Sequence, residues 1–211
     1  MVDFGDSRAG PGARRIMETS MKFPWRAATL AAFIALGVES PAFAQQAPSN
    51  APPAVSKDPF GVEVTLTPKT IIFMKGNSTW DKALENLQDA FKSVYGVVDS
   101  RGLAKTGPAM TIYTQADDTG FSFQAAVPIA EAPKDPPKGD IAVGQTPAGK
   151  ALRFAYKGSF HQMEDTIYNA IPEYLDEKQL DSSGTFIEEY QSDPVTTPED
   201  KFDISIFVLL K

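Results

Sequence analysis

Phe186-Ile187-Glu188-Glu189-Tyr190-Gln191-Ser192-Asp193-Pro194 reads as a strand running into a turn, and it decides how the rest of the chain is read. Side chains alternate along a strand, so Phe186, Glu188 and Tyr190 share one face. A carboxylate between two aromatic rings suits a plain core poorly, because a buried charge needs a partner. It suits a pocket for a flat, apolar or cationic molecule. The alternative is a surface strand whose Glu188 is simply solvated.

Just upstream, Phe154-Ala155-Tyr156-Lys157-Gly158-Ser159-Phe160 leads into an amphipathic helix. Its apolar face is Phe160, Met163, Ile167, Ala170, Ile171 and Tyr174, at helical spacing. Ser159-Phe160-His161-Gln162 has the pattern of a capping box. Pro172 falls inside the run and is expected to kink or break the helix.

The same order of landmarks occurs earlier in the chain. Thr67-Pro68, Lys75-Gly76, a helix and Tyr113 match Thr146-Pro147, Lys157-Gly158, a helix and Tyr190. The earlier helix has Trp80, Ala83, Leu84, Leu87, Ala90, Phe91 and Val94 on one face. Ser78 with Asp81 is its expected cap and Gly96 its expected stop. Strands are expected over 62–66, 70–74, 109–114 and 121–127, then over 141–145, 150–156, 186–191 and 202–210. The expected fold class is therefore α+β: two pseudo-symmetric strand-strand-helix-strand-strand halves, 59–131 and 138–211, with a central cleft. The Pro- and Lys-rich stretch 132–139 links them. Each helix should cover one sheet face, and the opposite faces should meet at the cleft.

The N-terminus reads as a targeting segment. Met21-Lys22-Phe23-Pro24-Trp25-Arg26 is basic, 27–38 is apolar but short, and Ala42-Phe43-Ala44 is a small-x-small cleavage site. Residues 1–44 are thus expected to be an upstream extension and signal peptide, and 45–58 a flexible leader rich in Gln, Ala and Pro. Export to the periplasm of a bacterium, or secretion, follows, with no membrane anchor after cleavage. The chain has no cysteine, so disulfides, thiolate metal sites, cysteine nucleophiles and a lipidated cysteine are excluded. Its single histidine, His161, excludes a multi-histidine metal centre. The net charge of −7 argues against a nucleic-acid partner.

The motif order over 59–211 resembles the GyrI-like small-molecule-binding family, also called the AraC-type effector-binding domain. The resemblance is carried by Gly158 before the helix, by Ile187-Glu188-Glu189-Tyr190, by Asp193-Pro194 and by the final apolar strand. Tyr156, Ser159 and Phe160 depart from the family's turn. The resemblance implies two pseudo-symmetric halves and a cleft for hydrophobic, aromatic or cationic molecules. It implies that Glu188 is the pocket glutamate, with Thr111 at the matching first-half position and Tyr113 matching Tyr190. Relatives are often joined to a DNA-binding domain, which this chain is expected to lack.

The expected ligand-binding residues are Glu188, Tyr190, Tyr113 and Phe186; no catalytic residue, metal ligand or cofactor is assigned. Tyr113 and Tyr190 have the alternative of ordinary cross-strand packing. Glu189 should point away from Glu188. His161, in the first turn of a helix, reads as surface polar rather than as a ligand, and Trp80 as core. The favoured function is binding of a small hydrophobic or cationic molecule. Two alternatives stand beside it: a hydrolase with Glu188 as general base, and an envelope module that only docks on a partner.

Overall fold

The computed structural model describes residues 60–211. The expected signal segment and the whole of the leader, 45–58, lie outside the described residues. Eight strands are present: β1 Val62–Leu66, β2 Thr70–Thr79, β3 Met110–Ala116, β4 Gly120–Pro128, β5 Ile141–Gln145, β6 Gly149–Gly158, β7 Ser182–Tyr190 and β8 Phe202–Leu210. Two α-helices accompany them, α1 Ala83–Ser100 and α2 Ala170–Glu177. All strand pairs are antiparallel, in one sheet ordered β1-β6-β8-β7-β3-β4-β2-β5.

That order is its own reverse when β1–β4 exchange names with β5–β8. Within each half the pairing is the same, β3-β4-β2 and β7-β8-β6. The first strand of each half leaves it and pairs with the second strand of the other, β1 with β6 and β5 with β2. The two separate sheets expected from sequence are thus one continuous sheet, joined at β3 and β7.

This exchange forces the sheet to curl. Residues 67–69 carry the chain from β1, at one edge, to β2, six strand positions away. In a flat sheet that gap is about 29 Å, whereas the connector reaches at most about 14 Å. The edges must therefore approach each other, and the two short connectors meet. The Lys69 N–H donates to Thr146 Oγ1 at 3.0 Å, and the Thr146 N–H to the Lys69 carbonyl at 3.0 Å.

Inside the curl lies a helix-free core of Ile71, Phe73, Met110, Ile112, Ile187 and Phe207, all buried. The cleft expected on this face is replaced by packed apolar side chains. Both helices pack on the opposite face, in a second core that includes Leu87, Phe91, Ile171, Phe154 and Ile204.

Local signals differ from expectation where backbone bonding decides. Helix α1 runs through Gly96 and stops at Gly102, whose φ of 61° is easy for glycine. The Leu103 N–H there returns to the Val98 carbonyl at 2.9 Å. Neither Ser78 nor Ser159 caps a helix: each half enters its helical segment through a 3₁₀ turn, Trp80–Lys82 or Phe160–Gln162. Trp80 is 46% exposed rather than core, though its ring lies against Phe121 and its indole N–H donates to the Asp117 carbonyl at 2.8 Å. The two Lys-Gly landmarks are also not equivalent. Gly158 precedes its 3₁₀ turn by the same two residues as Ser78, and both pair with a phenylalanine, Phe202 and Phe121.

Candidate functional site

The site is built at the centre of the sheet. Thr111 and Glu188 are paired across the β3–β7 junction. The same row continues through Ala125 to Met74 on one side, and through Ile206 to Phe154 on the other. Ala125, Ile206 and Phe154 of this row belong to the helix-side core and Met74 packs against it, so Glu188 faces the helices. It is only 1% exposed, and Thr111 is 0% exposed. Glu189, one residue on, lies on the other face and pairs with Lys69 at 3.1 Å.

Three hydroxyls close around the carboxylate. The Tyr190 hydroxyl donates to Glu188 Oε2 at 2.7 Å, and stands 3.1 Å from Thr111 Oγ1. The Tyr168 hydroxyl donates to Glu188 Oε1 at 2.5 Å. Tyr113, opposite Phe186 in the ladder, also favours the charged carboxylate through its hydroxyl. Phe186 is half-buried beside the Tyr168 ring, 6.2 Å between centroids. All four expected residues therefore meet at one place, with Glu188 as hub.

Tyr168 is the member that periodicity does not reveal. In a regular helix it stands about 100° around from Ile167, at the rim of the apolar stripe. The segment Glu164–Tyr168 is instead a π turn, closed by the Asn169 N–H on the Glu164 carbonyl at 3.1 Å. The wider turn brings Tyr168 over the sheet. The available clue is Pro172. It has no N–H for the carbonyl four residues back, which is that of Tyr168. The irregularity therefore falls before the proline, and α2 runs over Pro172 in its first turn.

The cluster is a buried carboxyl whose hydrogen-bond partners are phenols rather than a cation. Burial raises the Glu188 carboxyl above its ordinary range, and the hydroxyls of Tyr168, Tyr190 and Tyr113 partly oppose this. Burial, and then the neighbouring Glu188 charge, push all three phenols well above the usual tyrosine range. They therefore remain donors. Hydrogen bonds to a charged group contribute about 1.5–3 kcal/mol each, against a burial cost of several kcal/mol for the ion. An incoming cation or hydrogen-bond donor finds a preformed acceptor. The half-buried ring of Tyr168 is part of what covers it.

His161 is exposed and stands 3.6 Å from Glu199, away from this cluster. Among the described residues no group of three or more His, Asp or Glu is placed to hold a metal.

No curated protein matches the chain in sequence. Several solved structures share its fold. EcmrR in its DNA complex superposes with a TM-score of 0.60 at 12% identity, over 72% of this chain and 57% of that one. The chain thus spans little more than half of that protein. The EcmrR C-terminal domain alone gives 0.59 at 11% identity, over 72% and 96%. SAV2435 bound to tetraphenylphosphonium gives 0.51 at 14%, over 72% and 93%. A hydrolase from Listeria innocua gives 0.53 at 12%, over 72% and 92%. At these identities the likeness is one of fold. Sequence adds the family, since residues 62–211 match the GyrI-like small molecule binding domain, and the chain belongs to that family.

Proposed function

We propose that the chain is an exported binding protein for an apolar, aromatic or cationic small molecule, held on the helix side of the sheet with Glu188 as its charged anchor. One observation carries this reading: a carboxylate at 1% exposure whose direct partners are tyrosine hydroxyls rather than a lysine or arginine. Such a charge favours a ligand that completes it. Tyr113, Tyr190 and Phe186 supply the walls. Tyr168 is the cover, since it is only partly buried and its hydroxyl holds the carboxylate. Contact with Glu188 requires Tyr168 to move aside.

Tetraphenylphosphonium, the molecule bound by SAV2435, is a suitable first probe. It should raise the melting temperature of the wild-type protein by mass action. No shift with lipophilic cations and none with neutral aromatics would remove the reading. Export is tested separately, by N-terminal sequencing of protein from the periplasm. A chain starting after Ala44 is expected, and an intact 21–44 segment on membrane-bound protein overturns it.

A hydrolase remains the second reading, favoured by the convergence of Tyr168 and Tyr190 on one carboxylate. In it Glu188 takes a proton from water and a phenol donates to the leaving group. Turnover of activated esters or amides that disappears in Glu188→Gln while binding persists supports it; no turnover across the panel removes it. A docking module needs an exposed apolar patch, and Trp80 is the one large apolar side chain exposed among the described residues.

A further inference from the structure

A hollow of about 250 Å³ opens between α1 and the turn after β7. Tyr95, Lys105, Pro108, Tyr190, Asp193 and Pro194 line it. Its inner wall is the Tyr190 residue whose hydroxyl reaches Glu188, so the two sites are neighbours with a ring between them. Its outer part already contains a cation–π contact: Lys105 Nζ lies 5.0 Å from the centroid of the Tyr95 ring. Lys105 is exposed and makes no ion pair among the described residues.

Asp193 completes the arrangement. Its Oδ1 accepts the N–H groups of Val195 and Thr196, at 2.8 and 3.1 Å, which fixes the carboxylate at the rim. The surroundings of Tyr95 are negative. Burial, Asp193 and Asp99 together push its phenol up to about 12, so it stays neutral. A ring face, a fixed carboxylate and an apolar wall are the parts that recognise an ammonium group on a small hydrophobic body. An anionic ligand would meet Asp193 and Asp99 instead.

We propose that this hollow is a second binding site, for small aromatic primary amines, and that the Lys105 ammonium is its built-in competitor. The amine replaces Lys105 over the Tyr95 ring, next to Asp193, and its ring packs on Tyr190, Pro108 and Pro194. Lys105 swings into solvent. The site adjoins the one proposed at Glu188, with the Tyr190 ring between them.

The test compares benzylamine, benzyl alcohol and benzoate by calorimetry or NMR titration on the full chain. Benzylamine should bind most tightly, with benzoate showing no saturation. Asp193→Asn keeps the turn, because the amide oxygen accepts the same N–H groups, yet should weaken benzylamine by about threefold to fivefold. Lys105→Met should tighten it by about twofold to fivefold, a gain that misfolding does not produce. Asp193→Asn should weaken benzylamine more than Glu188→Gln does. The proposal is overturned if benzoate binds as well as benzylamine, or if Lys105→Met weakens binding. It is equally overturned if Glu188→Gln abolishes binding while Asp193→Asn has no effect, which would place the amine at Glu188. No saturation by benzylamine also overturns it.

Discussion

The two halves share one strand order and differ where chemistry is concentrated. In the first half the crossover is one continuous helix, Ala83–Ser100, and the central position of the sheet holds neutral Thr111. In the second the crossover, past the 3₁₀ turn that both halves share, is broken into a π turn and an eight-residue helix, and the central position holds Glu188. Helix regularity is lost in the half where a helical side chain, Tyr168, must reach down to a buried charge. The comparison teaches that the frame is supplied by both halves, while the candidate site is one-sided.

If the first half is chiefly frame, the largest effect should come from its core. Phe91 is 0% exposed and lies edge-on to Tyr190, 5.5 Å between centroids. Phe91→Ala should lower the unfolding free energy by about 3–5 kcal/mol, read from urea denaturation. Ile171→Ala, in the broken helix, should cost about 2–5 kcal/mol by the same mechanism. A loss well under about 1 kcal/mol for Phe91→Ala would mean that α1 is not the support assumed here.

The one-sided charge gives the next effect, and a direct way to break the comparison. Glu188→Gln should weaken binding of a lipophilic cation by about 3 kcal/mol, the scale of an unpaired buried charge. Thr111→Val, at the paired position of the other half, should change it by well under about 1 kcal/mol. Calorimetry with tetraphenylphosphonium on both variants decides. Equal losses would make the site two-sided and remove Glu188 as its anchor.

Much of this frame is legible in the sequence, and the limits of that legibility are physical. Alternation and turn residues mark all eight strands, and the shared face of Glu188 and Tyr190 follows from alternation alone. The exchange of β1 and β5 is not marked, because a strand's side-chain pattern states which face is buried and not which neighbour it pairs with. The site was therefore expected on the face away from the helices, which the curl fills with Met110, Ile112 and Ile187. Tyr168 is hidden for a different reason: helical periodicity presumes a constant turn, and Glu164–Tyr168 departs from it. Pro172 signals an irregularity before it but not that it takes the form of a π turn.

The hydroxyls around Glu188 should separate by burial. Tyr190→Phe leaves a fully buried carboxylate oxygen without its donor and also removes the partner of Thr111. It should cost about 1.5–3 kcal/mol of stability at neutral pH. Tyr168→Phe removes another of the three donors, but water can approach past its half-buried ring, so the cost should be smaller. Urea denaturation of both variants tests the order; a larger loss for Tyr168→Phe would assign the buried role to the broken helix rather than to the strand.

The smallest effect sharpens the comparison further, because it isolates the charge itself. Burial, its largest cause, raises the Glu188 carboxyl above its ordinary value of 4.5 in the folded protein, despite the opposing tyrosine hydroxyls. In the unfolded chain the carboxyl loses its proton first. A raised folded value therefore gives a stabilising contribution that is fully present below about pH 4.5 and is lost as pH rises through the folded value. Each unit of separation is about 1.4 kcal/mol. Glutamine cannot titrate, so melting temperatures of wild type and Glu188→Gln should differ least near pH 4. As pH rises from there the variant should gain relative to wild type, levelling off above the folded value. All other carboxylates titrate in both proteins and cancel in the difference. Thr111→Val, which also leaves every charge in place, should instead run parallel to wild type over the whole range. A flat difference for Glu188→Gln would show that the carboxyl at the sheet centre is as easily ionised as one in water, and the contrast between the halves would then be one of shape alone.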